Sequence, residues 1–255
     1  MKTEPRCEGG HNAITAASWV TLCSSRIRVL EMRVAQLLLM IRTRCKFRKR
    51  MSRRNQLRII GGTHRSRLVT FPDHDGLRPT GDRVREMLFN WLQMSIVGAR
   101  CLDLFAGSGV LGFEALSRGA ASVTLLDSDA KVIANLHKNS EQLGFDQARI
   151  ERINASDWLT QSSHDGQFDI AFLDPPFADE ILYETCRQLQ QSGALKAGAK
   201  VYLEHELPLA EEKLPVEWEA IKKKSAGKVH FGLFLANHEA VYAGPYAGKN
   251  SGNFK

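Results

Sequence analysis

Asp103-Leu104-Phe105-Ala106-Gly107-Ser108-Gly109 decides the reading of this chain. The stretch completes a strand-like run over residues 100–105 and leads into an apolar segment, so it reads as a tight glycine turn between a strand and a helix. Such a turn gathers backbone N–H groups and a helix N-terminus at one point, where a small molecule can approach. The embedded Gly107-x-Gly109-x-x-Gly112 fits a dinucleotide as readily as another ligand. Asp103 is the better discriminator. Its carboxylate would repel a pyrophosphate and attract the ammonium of a bound amino acid. The plainer reading of the same acid is a cap on the following turn.

Outward from this turn, strand-like runs at 122–127, 148–153, 168–174 and 200–206 alternate with amphipathic segments, which predicts a parallel sheet with crossover helices. Asp129 and Gly144 punctuate one helix, and Asp179 and Gly193 another. Runs at 218–224 and 229–236, joined by Ser225-Ala226-Gly227-Lys228, read as a closing antiparallel hairpin. Upstream, 57–61 and 67–71 form a short apolar hairpin. Thr80 then caps a helix whose Val84, Met87, Leu88, Trp91 and Leu92 share one face, with Arg83, Arg85 and Glu86 on another.

The second strand ends in Asp127, eighteen residues beyond Gly109, and suits ribose hydroxyls of an adenosine-containing ligand. Asn154-Ala155-Ser156-Asp157 follows the third strand and is placed to meet an adenine ring, with an N-cap role for Asp157 an equal explanation. After the fourth strand stands Asp174-Pro175-Pro176-Phe177. Two prolines remove two backbone donors and stiffen the turn. The Asp174 carboxylate and the Pro175 carbonyl can then converge as acceptors on one NH2 group, and Phe177 offers a face to an unstacked base. An Asp-Pro turn that merely ends a strand is the alternative.

With 255 residues and 43% hydrophobic content, the chain has room for one α/β core plus appendages. Its net charge of +7 is uneven. Residues 1–58 hold 14 Lys and Arg against three Glu, or +11, so the remainder is at −4. The basicity suggests a polyanionic partner and lies in the N-terminal stretch. Five scattered cysteines fit neither a disulfide framework nor a zinc site. The longest apolar run, 34–41, is far shorter than the ~20 residues that span a bilayer, and no secretory signal is evident. These features predict a cytoplasmic protein with no membrane segment and no metal.

The glycine turn followed by Asp174-Pro175-Pro176-Phe177 resembles class I methyltransferases acting on exocyclic amines of adenine, cytosine or guanine. More closely, Arg58-Ile-Ile-Gly-Gly62, Leu77-Arg-Pro-Thr80, Arg83-Val-Arg-Glu86 and Leu88-Phe-Asn90 are similar to the RsmD family, the bacterial 16S rRNA (guanine(966)-N(2))-methyltransferases. The likeness covers residues 57–236. It implies a Rossmann-like fold with a seven-stranded, mostly parallel sheet, a small N-terminal hairpin, S-adenosyl-L-methionine as cofactor, and 16S rRNA in an assembling small ribosomal subunit as partner. It further implies Asp174, Pro175 and Phe177 as catalytic residues. Asp103, Phe105, Gly107, Gly109, Asp127, Ala155, Asp157 and Thr80 would hold the cofactor. The phosphate contacts would come from Arg58, Arg65, Arg67, Arg78, Arg83 and Arg85, although a pairing of Arg83 or Arg85 with Asp82 or Glu86 competes. The expected domains are a basic extension at 1–50, a hairpin and helix for RNA contact at 51–97, the methyltransferase domain at 98–240 and a tail at 241–255. The family does not usually carry 1–50, and a chain beginning at Met51 is expected to fold and work. Three other readings stay open: a DNA adenine-N6 or cytosine-N4 methyltransferase, a nicotinamide-dependent oxidoreductase, and a non-catalytic RNA-binding assembly factor.

Overall fold

The computed structural model describes residues 55–72, 81–161, 166–176 and 179–237. The expected extension 1–50, the tail 241–255, Arg78, Thr80 and Phe177 lie outside the described residues. Seven strands form one sheet in the order β5-β4-β3-β6-β7-β9-β8: β3 (Arg100–Asp103), β4 (Ser122–Asp127), β5 (Ala148–Arg152), β6 (Phe168–Leu173), β7 (Leu195–His205), β8 (Trp218–Ala226) and β9 (Val229–Ala236). The first five of these pair in parallel. β9 lies antiparallel between β7 and β8. The sequence expectation of a parallel sheet closed by an antiparallel hairpin is borne out. β7 begins five residues earlier than expected, but its continuous register with β6 starts at Ile170↔Lys200; the leading piece pairs only through Phe168↔Leu195.

Both faces of the sheet are covered, which is why its central strands read as nearly continuous apolar runs. On one face α1 (Asp82–Trp91), α2 (Val110–Ser117) and α3 (Ala130–Leu143) pack Leu88, Phe113 and Leu136 against Val123, Leu125 and Phe172. On the other, α4 (Ala155–Thr160) and α5 (Asp179–Gln191) pack Trp158, Leu182 and Leu189 with Leu102, Leu126 and Leu203. The Asp129 carboxylate accepts from the N–H groups of Lys131 and Val132, and Gly144 closes α3, as the sequence predicts. The Thr80 cap is a correction. α1 is capped by Gly81, whose carbonyl accepts from Val84 and Arg85, and Gly81 has no side chain with which to add a cap bond.

A two-stranded hairpin, β1 (Gln56–Arg58) and β2 (Leu68–Thr70), buries Ile59 and Val69 in the same core as α1 and α2. Glu114 fastens it. This carboxylate is fully buried in a helix that is apolar apart from it and Ser117, and it accepts from Ile60 N–H at 2.7 Å and Gly61 N–H at 2.8 Å. Arg118 Nε pairs with it at 2.7 Å, and Arg85 stands 3.7 Å away. Ser117 Oγ donates to Gly61 O at 2.6 Å, while Thr70 is held by Asn135 and Asn139 of α3. The clamp explains a second correction. Arg85 is completely buried, bonded to Asp82 at 2.5 Å and to the Arg58 carbonyl at 3.0 Å, so it braces the hairpin and does not meet phosphate. Glu114→Ala strands two backbone donors and leaves the buried Arg85 guanidinium short of charge compensation. Removal of one partner from such a buried set costs about 3–5 kcal/mol, so urea unfolding is expected to show a midpoint well below that of the parent chain. A midpoint unchanged within error removes Glu114 from this role.

Candidate active site

β3 is the point where strand order reverses, since β4 and β5 lie to one side and β6 and β7 to the other. The crevice above the C-terminal edge at such a point is where ligands bind in open α/β sheets. Here it is a cleft of about 1600 Å³. Small-molecule pockets run roughly 300–1,000 Å³, so this cleft has room for a ligand and part of a second one.

The glycine turn forms its floor. Ala106 N–H donates to Leu126 O at 2.9 Å and Leu104 N–H to Phe172 O at 3.2 Å, tying the turn to both neighbouring strands. Gly109 caps α2 with φ +75°, and a Cβ there would stand 2.4 Å from Leu136 and 2.6 Å from Phe113. A Cβ on Gly112 would stand 2.5 Å from Leu125, so a side chain there would lift α2 from the sheet. No larger residue lets the backbone sit this low beneath a ligand.

Asp103 is 2% exposed at the end of β3. Burial pushes its pKa up to about 7, with the Asp127 charge adding to the rise, while hydrogen bonds from the Phe105 and Gly112 backbone pull the other way. The Gly112 contact places the carboxylate at the N-terminus of α2, so the capping reading of Asp103 is also physically present. A cation arriving in the cleft would favour ionisation. Asp127 accepts from Gly107 N–H at 3.1 Å and from Asp129 N–H at 2.9 Å, one bond on each oxygen. Each carboxylate oxygen can take a second donor, so the residue retains capacity for ribose hydroxyls. Ser128, Ile153, Asn154 and Ala155 continue the wall. Asp157 is not brought to it. That side chain is exposed, and the cap of α4 is Asn154, which accepts from Ser156 N–H at 2.9 Å, because the helix starts immediately after β5.

On the opposite side stand Asp174, Pro175 and Pro176 at the end of β6. Pro175 is buried and Asp174 half-buried. Arg83 lines the rim from the first turn of α1. Arg58, Arg65 and Arg67 are exposed on the hairpin, away from the cleft wall. Two features escaped sequence reasoning. Glu204 and His205 at the end of β7, and Glu206 just after it, also line the cleft. Their signal was available, since every parallel strand delivers its C-terminal end to the same edge. Glu114 could have been suspected as the one charged residue within Val-Leu-Gly-Phe-Glu-Ala-Leu-Ser, a largely apolar helix that is buried all round.

The sequence profile described as Conserved hypothetical protein 95 matches residues 57–235. Ribosomal RNA small subunit methyltransferase D of Escherichia coli K12 is 46% identical over 179 residues, covering 70% of this chain and 89% of its own. The chain belongs to the RsmD family. The Haemophilus influenzae member is 43% identical over 185 residues, covering 71% of this chain and 94% of its own. The solved structure of yhhF from Escherichia coli shares 42% identity and superposes with a TM-score of 0.64, covering 71% of this chain and 98% of that one. The fold is therefore the class I S-adenosylmethionine-dependent methyltransferase fold. RsmD membership weighs against the DNA-methylating, nicotinamide and non-catalytic readings.

Proposed function

We propose that this chain methylates the exocyclic N2 amine of a guanine in 16S rRNA, with S-adenosyl-L-methionine as donor, during assembly of the small ribosomal subunit in the cytoplasm. The observation that carries the reading is the meeting of two strand ends in one cleft: the glycine turn with Asp103 and Asp127, and Asp174-Pro175-Pro176 on the neighbouring strand. The donor fits the residues present. A buried acid with a raised pKa awaits a cation, a second acid has lone pairs to spare, and the glycine turn leaves the backbone open between them.

When bound, S-adenosylmethionine supplies an electrophilic methyl group on its sulfonium. Asp103 would receive the ammonium of the methionine moiety, beside Phe105, Gly107 and Gly109. Asp127 would accept from the ribose, and Ala155 would flank the adenine. A guanine N2 is a weak nucleophile because its lone pair is delocalised into the ring. Asp174 and the Pro175 carbonyl would accept its two N–H bonds, localising the lone pair and aiming it at the methyl group. Asp174 would then take the proton that the amine loses. Phe177, by its place in the motif, supplies the surface on which the base lies. Arg83 at the rim and Arg58, Arg65 and Arg67 on the braced hairpin would hold phosphates. The hairpin and helix thus serve RNA contact, and residues 1–50 would add only salt-sensitive affinity.

Mass spectrometry of 16S rRNA from cells lacking this gene should show one guanosine without its N2-methyl group, restored by the intact chain. An unchanged pattern of methylated guanosines in those cells rejects the proposed function.

A further inference from the structure

β7 pairs with β6 in parallel through Leu173↔Leu203, so Glu204 stands abreast of Asp174, one residue beyond the last paired position. Neighbouring strands lie ~4.8 Å apart, and alternation along them puts Phe172, Asp174, Tyr202 and Glu204 on one face. Glu204 is 7% exposed and lines the cleft. The fully buried Tyr202 donates its hydroxyl to Glu204 Oε2 at 2.8 Å. Burial first, then the Glu204 and Asp174 charges, push the Tyr202 pKa well above its ordinary value, so this hydroxyl stays a donor. Beyond it, Leu207 N–H donates to His205 Nδ1 at 3.0 Å and closes the turn that follows β7. A carboxylate buried this far is costly to the fold, and this one is held in place at the wall of the substrate cleft.

The amine-orienting pair formed by Asp174 and Pro175 does not by itself tell one base from another, since adenine, cytosine and guanine all offer an NH2 group. They differ in the atom next to it. Guanine has N1–H, a donor, whereas adenine N1 and cytosine N3 are acceptors. We infer that Glu204 is the residue that selects guanine: its carboxylate accepts the N1–H beside the amine held by Asp174 and Pro175, and repels the lone pair that the other bases place there. Tyr202 is a positioning residue that fixes the carboxylate. This rests on the guanine-N2 reading above and specifies how its base is chosen.

The test uses small-subunit particles reconstituted with unmodified 16S rRNA, and the same particles carrying 2-aminopurine at the modified position. That base keeps the N2 amine but turns N1 into an acceptor. The full-length chain should methylate the guanine particle at least about 100-fold faster by kcat/KM, because a site built for a hydrogen-bond donor rejects the analogue that lacks it. Glu204→Gln can turn its amide NH2 toward the acceptor N1, so the preference should fall to below about 10-fold. A loss of folding or cofactor binding would lower both substrates together and leave the ratio alone. A ratio unchanged in Glu204→Gln overturns the inference, as does a parent chain that uses both particles equally; in either case methylation of guanine N2 itself stands. Where Glu204→Gln does not fold, Tyr202→Phe must reduce the same ratio, and an unchanged ratio there overturns it equally. A parent chain inactive on the guanine particle is a failure of the proposed function, recognisable because no ratio exists, and it takes this inference with it.

Discussion

Asp174→Ala should lose methyl transfer while keeping its cofactor site. The carboxylate proposed to orient the amine is removed from the end of β6, but Asp103, Asp127 and the glycine turn belong to β3 and β4 and are tied to each other by their own bonds. Loss of a positioned acceptor that also takes the proton is worth roughly 10²–10⁴-fold in rate. Single-turnover assays on small-subunit particles should therefore show kcat down by at least about 100-fold, with S-adenosylhomocysteine binding within a few-fold of the parent by calorimetry. That split identifies a group acting on the reacting amine. Turnover near the parental rate would move the orienting role elsewhere in the cleft, and lost cofactor binding would mean that Asp174 supports the site's structure instead.

Asp103→Asn should trade ligand affinity for stability, and pH reveals the trade. In the folded chain Asp103 holds its proton up to about pH 7, whereas the ordinary carboxylate value is 3.8. Across that window the native state binds more protons than the unfolded one, so this residue makes stability fall as pH rises from about 4 to about 7. The asparagine has nothing to ionise. At pH 8 the variant should be more stable than the parent by up to about 4 kcal/mol, at 1.36 kcal/mol per pKa unit, and at pH 4 the gain should vanish. Ligand binding has the opposite sign. On the proposed assignment the ammonium of S-adenosylhomocysteine meets the ionised acid, so parental affinity should rise with pH through 7 and binding should release a proton. The variant should bind more weakly at pH 8, since a charged hydrogen bond is worth about 1.5–3 kcal/mol, or roughly 10–150-fold. Chemical denaturation and calorimetry at pH 4, 6 and 8 check both halves. Affinity independent of pH in the parent chain would leave Asp103 a cap of α2 and nothing more.

Much of the architecture was legible in the residues because it is decided over short range. Alternation of apolar runs with amphipathic segments marked the strands, and Asp129 and Gly144 marked the ends of α3, since capping needs only the next few backbone N–H or C=O groups. The cleft was legible for a related reason. Parallel strands with helical crossovers must deliver all their C-terminal ends to one edge, so Asp103, Asp127 and Asp174 were bound to converge once the strands were recognised. What only the tertiary structure decided is which polar group meets which across long separations. Arg85 shares a helix surface with acids and arginines in the sequence, and only the arrival of Glu114 and the Arg58 carbonyl draws it inside. Glu114 is paired with backbone groups 53 and 54 residues away. Asn154 rather than Asp157 caps α4, since the cap goes to the residue standing where β5 releases the chain. Glu204 carries no motif, and its place beside Asp174 follows from the register of β6 with β7. Local chemistry wrote the elements and their edge; packing between elements distant in sequence chose the partners of the buried charges, because a charge removed from water must find its partner wherever the fold brings one.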